Sequence, residues 1–183
     1  ISRHTYRQNV TFKHGSVASS IDLSYDGFSV VSGHVDGAVR FWDIRQPQDK
    51  TGEISDLHNP NGITSVHFNP TNNAEILTMG CDNTLKIVDV RKQGQALQTF
   101  YHEQFKIDAN YATCAISPDG KYAAAGSTNG NIFIWNTVDG KLVKQLEGSG
   151  NGSGVIAVAW DRGGSNGQQF SSVDRKGCLV LWA

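Results

Sequence analysis

The sequence predicts an all-β chain built from repeated sheet units, a β-propeller, on three observations. First, strand-like runs end alike at Val39-Arg40-Phe41-Trp42-Asp43, Leu85-Lys86-Ile87-Val88-Asp89, Ile132-Phe133-Ile134-Trp135-Asn136 and Leu179-Val180-Leu181-Trp182. Trp42, Val88, Trp135 and Trp182 stand 46, 47 and 47 residues apart, close to the length of one propeller blade. Second, His14, His58 and His102 recur every 44 residues. Third, turn residues recur in phase. Tyr25-Asp26-Gly27, Asn69-Pro70-Thr71, Ser117-Pro118-Asp119-Gly120 and Asp161-Arg162-Gly163-Gly164 follow the first strand of each unit. Asp36-Gly37, Asp82-Asn83, Asn129-Gly130 and Lys176-Gly177 precede each Trp-type strand.

Within the first unit, alternation and turn chemistry predict strand a over 17–23, strand b over 29–33 and strand c over 38–43. The Asp-Gly step between b and c suits a tight hairpin, because glycine tolerates positive φ. A more variable outer strand d follows, as at 96–100 and 142–146. The chain opens on one such outer strand, near 8–12. The expected division is a partial propeller over 1–183: an outer strand in 1–13, then units 14–57, 58–101, 102–147 and 148–183. Four units do not close a ring, and open sides would expose unpaired blade faces. The first residue, Ile1, is not methionine, which favours a piece of a longer chain over association of two copies.

Composition excludes several classes. Sixteen basic residues against seventeen acidic ones leave a net charge of −1, without the basic stripe of a nucleic-acid binder. No run approaches the roughly 20 apolar residues needed to span a bilayer, so membrane association would be indirect. Cys81, Cys114 and Cys178 are odd in number and far apart, as in reduced thiols of a cytoplasmic protein. The sequons Asn9-Val10-Thr11 and Asn151-Gly152-Ser153 are read as chance matches.

No Walker loop and no His-Glu-x-x-His occurs. The glycine-rich run from Gly148 to Gly154 precedes a strand expected over 155–160 rather than a helix N-terminus, so the dipole that attracts phosphate is missing. Neither an enzyme nor a cofactor or metal site is expected. The 44-residue recurrence puts the histidines in different blades, too far apart to share one metal.

The first unit's His14, Ser32, Asp36 and Trp42 resemble the buried polar tetrad of WD40 proteins. In it the Asp accepts from the His, the His bonds the Ser, and the Ser accepts the indole N–H. The later units decay from this pattern. His58, Thr78 and Asp82 stand with Val88; His102, Ala125 and Asn129 stand with Trp135; Ser172 and Trp182 stand without a histidine. The first blade is therefore expected to be the most rigid.

The run from Ser32 to Arg45 (SGHVDGAVRFWDIR), Thr84-Leu85-Lys86-Ile87-Val88-Asp89-Val90-Arg91, the run from Ser117 to Ser127, Gly140-Lys141-Leu142-Val143-Lys144 and the ending from Ser172 to Ala183 together resemble the C-terminal WD40 propeller of the autophagy-related protein 16 family. That resemblance implies a seven-bladed ring, of which four blades are here. It implies a scaffold docking protein or peptide partners to a complex that directs lipid conjugation of ubiquitin-like proteins during autophagosome formation. The autophagy protein 5–12 conjugate would be engaged only through an N-terminal region missing here. The implied location is the cytoplasm, with recruitment to autophagosome precursor membranes.

In a propeller, the d–a and b–c loops gather on one face. This places His34, Val35, Asn61, Phe105, Lys106 and Arg175 as candidate partner-binding residues, with Val35 and Phe105 as apolar anchors. A rival reading uses Asp43-Ile44-Arg45 and Asp89-Val90-Arg91. These resemble the Asp-x-Arg motif of WD40 substrate receptors of a cullin-4 ubiquitin ligase, with Arg45 and Arg91 contacting the adaptor.

Overall fold

A computed structural model describes residues 11–46, 50–58, 60–92, 95–161 and 169–182. The described residues form fifteen strands in four antiparallel sheets, each running in chain order from the inner strand outwards. Blade 1 comprises β1 (Ala18–Leu23), β2 (Ser29–His34), β3 (Val39–Asp43) and β4 (Gly52–Ile54). Blade 2 comprises β5 (Ile63–Asn69), β6 (Asn72–Gly80), β7 (Thr84–Asp89) and β8 (Ala96–Phe100). Blade 3 comprises β9 (Cys114–Ile116), β10 (Tyr122–Gly126), β11 (Asn131–Asn136) and β12 (Leu142–Glu147). Blade 4 has three strands, β13 (Val155–Trp160), β14 (Phe170–Asp174) and β15 (Leu179–Trp182). The architecture is that of a β-propeller. The outer strand expected near 8–12 and the turn at 161–164 lie mostly outside the described residues.

The hairpins between strands b and c share one geometry for one chemical reason. Gly37, Asn83, Gly130 and Gly177 all take positive φ, between 63° and 87°. The preceding Asp36, Asp82 and Asn129 each accept, through Oδ1, the backbone N–H two residues on, at 3.0–3.1 Å. Asp174 does the same for Lys176 and also accepts from Cys178, both at 2.9 Å. Such Asx turns compete well with other local conformations. Asn83 is the non-glycine of the four, and its side chain reaches the next blade to accept the Ile107 N–H at 2.7 Å.

The core lies between the blades. Val31, Ile63, Val66, Ile76 and Val88 pack blade 1 on blade 2. Leu77, Met79, Leu85, Phe105, Ala123, Ala125, Phe133 and Trp135 pack blade 2 on blade 3. Ala124, Ile132, Val155, Val158 and Phe170 pack blade 3 on blade 4, with Trp160 and Trp182 at the edge. Polar ties between inner strands align the blades. Ser20 Oγ accepts from Val66 N at 3.1 Å, Asp22 Oδ2 accepts from Phe68 N at 2.8 Å, and Thr113 N donates to Ile156 O at 2.8 Å.

Candidate protein-interaction site

Each d–a loop is tied to its blade at one recurring place, the residue two positions after the Ser/Thr of strand b. In blade 2 that residue is Gly80. A Cβ there would sit 2.4 Å from the His58 ring, so glycine leaves the slot open for His58 to enter from the loop. His58 is fully buried. Its Nδ1 lies 2.9 Å from Asp82 Oδ1 and its Nε2 lies 2.9 Å from Thr78 Oγ1. Burial pushes the His58 pKa down, against the pull of Asp82, so the ring is neutral at pH 7. With Nδ1–H donated to Asp82, Nε2 accepts from the Thr78 hydroxyl. Burial alone would raise the Asp82 carboxyl, but hydrogen bonds from His58 and Thr84 and the nearby Lys86 hold it down, at about 2.

In blade 1 the same position is His34, and this corrects the expected tetrad. The His34 ring itself fills the slot, with Nε2 2.9 Å from Ser32 Oγ and Nδ1 3.2 Å from Ser16 O. The Trp42 indole N–H completes the chain by donating to Ser32 Oγ at 2.8 Å. His14 is left exposed outside the network, its ring edge-on to His34 with centroids 5.5 Å apart. Asp36 does not pair with a histidine. Arg40 grips it with both terminal nitrogens, at 3.2 and 2.8 Å, while its Nε donates to Glu53. The Arg40 guanidinium holds the Asp36 carboxyl well below the usual carboxylate range. The linkage of His to Asp is therefore made in the second blade rather than the first.

Blade 3 replaces the polar network with aromatic packing. Phe133 stands where the first two blades carry Arg40 and Lys86. It is stacked with Trp135 at 5.8 Å, and Phe105 meets both rings edge-on. Ala125 takes the Ser/Thr position, and the buried Trp135 N–H has no partner among the described residues. At the slot position Ser127 holds the loop through Gln104 O and Lys106 N. In blade 4 Trp182 again donates to Ser172 Oγ, at 3.0 Å, and Asp174 in the slot accepts from Ser149 at 2.7 Å.

These anchors decide which candidates reach the surface. His34 and Phe105 do not, because both are buried in their blades. The alternation Phe105-Lys106-Ile107-Asp108-Ala109-Asn110 carries the reason: the apolar members point inwards and the polar ones outwards. Val35 is 46% exposed. Its backbone packs against Gly62, which has positive φ, and this brings Val35 beside the exposed Asn61. A second cluster spans blades 3 and 4. Arg175 pairs through both terminal nitrogens with Asp108, beside the exposed Lys106. The exposed aromatics Tyr101 and Tyr111 flank this loop. Sequence reasoning missed both, having assigned the anchor role to Phe105.

Arg45 and Arg91 are exposed near the opposite ends of the strands. Each folds back on the carboxylate two residues before it, Asp43 at 2.6 Å and Asp89 at 2.9 Å. Arg45 also lies 4.7 Å over the Phe28 ring. These arginines hold Asp43 and Asp89 at about 2. Among the described residues no His, Cys, Asp and Glu side chains group closely enough to hold a metal ion, and no helix is long and apolar enough to cross a membrane.

Comparison with known proteins agrees with this geometry. The family of the WD domain, G-beta repeat matches residues 6–43, 53–89 and 94–136. Protein tipD of Dictyostelium discoideum is 35% identical over 97% of this chain and 28% of its own length. Protein Atg16l2 of Mus musculus is 36% identical over 84% of this chain and 23% of its own length. Autophagy-related protein 16 of Arabidopsis thaliana is 32% identical over 91% and 31%. The chain thus spans between about a quarter and a third of the length of these relatives. The crystal structure of the computationally designed Ika4 protein superposes with a TM-score of 0.73 at 22% identity, over 97% of this chain and 98% of that one, a likeness of fold. The repeats, the blade geometry and these relatives together show that the chain belongs to the WD40 family, as a WD40 domain of an Atg16-like protein.

Proposed function

We propose that this chain is a protein-docking platform of the autophagy machinery. It would present partners to the complex that directs lipid conjugation of ubiquitin-like proteins at autophagosome precursor membranes. It would act in the cytoplasm and reach the membrane through that complex. Contact with the autophagy protein 5–12 conjugate would fall to regions outside residues 1–183. The relatives' names support the pathway. The observation that carries the docking role is the loop face itself. Val35 and Asn61 on one side, and Lys106, Tyr111 and the Arg175–Asp108 pair on the other, are exposed on loops whose roots are locked by buried polar contacts. An exposed apolar or aromatic side chain among polar ones, on a rigid support, is the usual form of an interaction anchor.

The ligase-adaptor reading is the weaker of the two. Arg45 and Arg91 would have to exchange well-formed intramolecular forks with Asp43 and Asp89 for an adaptor's carboxylates.

The test is immunoprecipitation of the full-length protein carrying Val35→Asp, Tyr111→Ala or Arg45→Ala with Arg91→Ala. Loss of autophagy partners with the first two and retention with the third supports the loop face. An unchanged partner set with Val35→Asp and Tyr111→Ala overturns it.

A further inference from the structure

The far mouth of the propeller, where the inner strands end, holds a cleft of about 730 Å³. It lies away from the loop face and is independent of the docking role given to that face. Its walls come from all four blades. Asp22 and Tyr25 close β1, His67 and Pro70 close β5, β9 crosses the floor, and Trp160 ends β13. A volume in this range accommodates a ligand of several heavy groups.

The electrostatics of the cleft select its occupant. Among the described residues no Lys or Arg lines it, and Asp22 is their one acidic side chain. Those residues offer phosphate and carboxylate ligands no counter-charge. Asp22 Oδ1 accepts from Leu23 N at 2.9 Å and Oδ2 accepts from Phe68 N at 2.8 Å. Those bonds fix the carboxylate across the seam between blades 1 and 2. A carboxylate has about four acceptor sites, and the side chain remains about a third exposed, so it can accept further donors. The His67 ring stands beside it, with Nδ1 3.8 Å from Oδ2 and Nε2 3.0 Å from Ser65 Oγ. Two aromatic side chains share the lining with it, Tyr25, which is 66% exposed, and the partly exposed Trp160. A fixed carboxylate in a cleft with aromatic walls matches a cationic side chain, whose charge bonds the oxygens and whose flat or aliphatic part packs on a ring face. The proline turns at Pro70 and Pro118 give the rim an apolar shelf for the chain that carries it.

We propose that this cleft is a second docking site and that it takes a partner-protein segment presenting an arginine or lysine side chain.

The test uses the full-length protein and four degenerate nonapeptide libraries, with the central position fixed as Arg, Lys, Leu or Glu. N-acetylargininamide serves as the free-cation control. Binding is read by fluorescence anisotropy at low and high salt. The expected result is a preference of about tenfold for Arg or Lys over Leu and Glu, the size of one charged hydrogen bond with a cation–π contact. That preference should shrink as salt rises.

Asp22→Asn removes the charge and keeps an acceptor for one of the two backbone bonds, its amide nitrogen being unable to accept the other. It should bring the preference close to unity, with the thermal midpoint read alongside. Tyr25→Ala, at an exposed turn position, should weaken Arg binding with the thermal midpoint unchanged. Equal binding of the Leu library, or a preference untouched by both substitutions, overturns the proposal. So does binding of N-acetylargininamide as tight as that of the Arg peptides, which would point to a small-molecule site. Loss of the loop-face partners with Val35→Asp bears on the other face alone, so the two readings fail separately.

Discussion

The His34 ring lies 2.9 Å from the Ser32 hydroxyl, in the slot that His58 enters from its loop in the next blade. Two histidines from different places in the repeat thus fill equivalent space. Strand b supplies its own ring in blade 1, whereas in blade 2 it supplies Gly80 and receives the ring of His58. The arrangement predicts an asymmetry between the two histidines of the first unit. His34→Ala removes a buried partner of Ser32 and leaves a void, and should cost about 1–3 kcal/mol. His14→Ala, at an exposed site, should change stability by no more than about 0.5 kcal/mol. Urea unfolding of the two variants decides it, and an equal cost would return His14 to the network.

Gly80 is the counterpart. A methyl group there meets the His58 ring at 2.4 Å, so Gly80→Ala must displace the ring from Thr78 and Asp82. Overpacking of this kind costs about 1–3 kcal/mol. The double variant Gly80→Ala, His58→Ala should recover part of that loss, since the clash is gone. A double-mutant cycle on denaturation midpoints would show this as coupling, and strict additivity would contradict it.

Trp135 offers a gain rather than a loss. In blades 1 and 4 the indole donates to Ser32 or Ser172, but in blade 3 Ala125 leaves the buried Trp135 N–H without a partner among the described residues. Ala125→Ser restores the acceptor at the same register and should stabilise the protein by about 0.5–1.5 kcal/mol. A lower thermal midpoint in this variant would mean that the aromatic packing around Phe105 and Phe133 has no room for the hydroxyl.

Acid should weaken the second blade through His58. Its pKa is lowered from 6.5 in the folded protein by burial, so below about pH 6.5 the unfolded chain binds a proton that the folded chain resists. The unfolded state then binds more protons, and stability falls as pH drops. The contribution is complete above about pH 6.5 and declines beneath it. Asp82, held at about 2, adds a further loss when the pH falls below the ordinary carboxylate range near 3.8. Urea midpoints between pH 8 and pH 5 should decline, and the decline should flatten in His58→Gln. An identical slope in that variant would remove His58 from the account.

Much of the architecture was legible because it rests on local chemistry. Asp36-Gly37, Asn129-Gly130 and Lys176-Gly177 announce hairpins by the positive φ that their second residues adopt, and the structure adds Asn83 in the same conformation. Strands expected at 96–100 and 155–160 occur as β8 and β13 with the same bounds, and β1, β2, β3 and β12 differ by a residue at one end. The site was less legible. The alternation from Phe105 to Asn110 does carry the inward direction of Phe105, but its place in a loop hides that signal. The contents of the slot were less accessible, because His34, Gly80, Ser127 and Asp174 differ in chemistry while sharing one place.

What the sequence determined by itself was the repeat, the turns and the alternating strands, since each depends on residues a few positions apart. Tertiary structure alone decided which histidine is buried, which aromatic side chain faces solvent, and that Asp22, Tyr25, His67 and Trp160 meet around one cleft. Those outcomes depend on how neighbouring blades fill shared space. A ring such as His34 excludes another from the same volume, and no spacing along the chain records that competition.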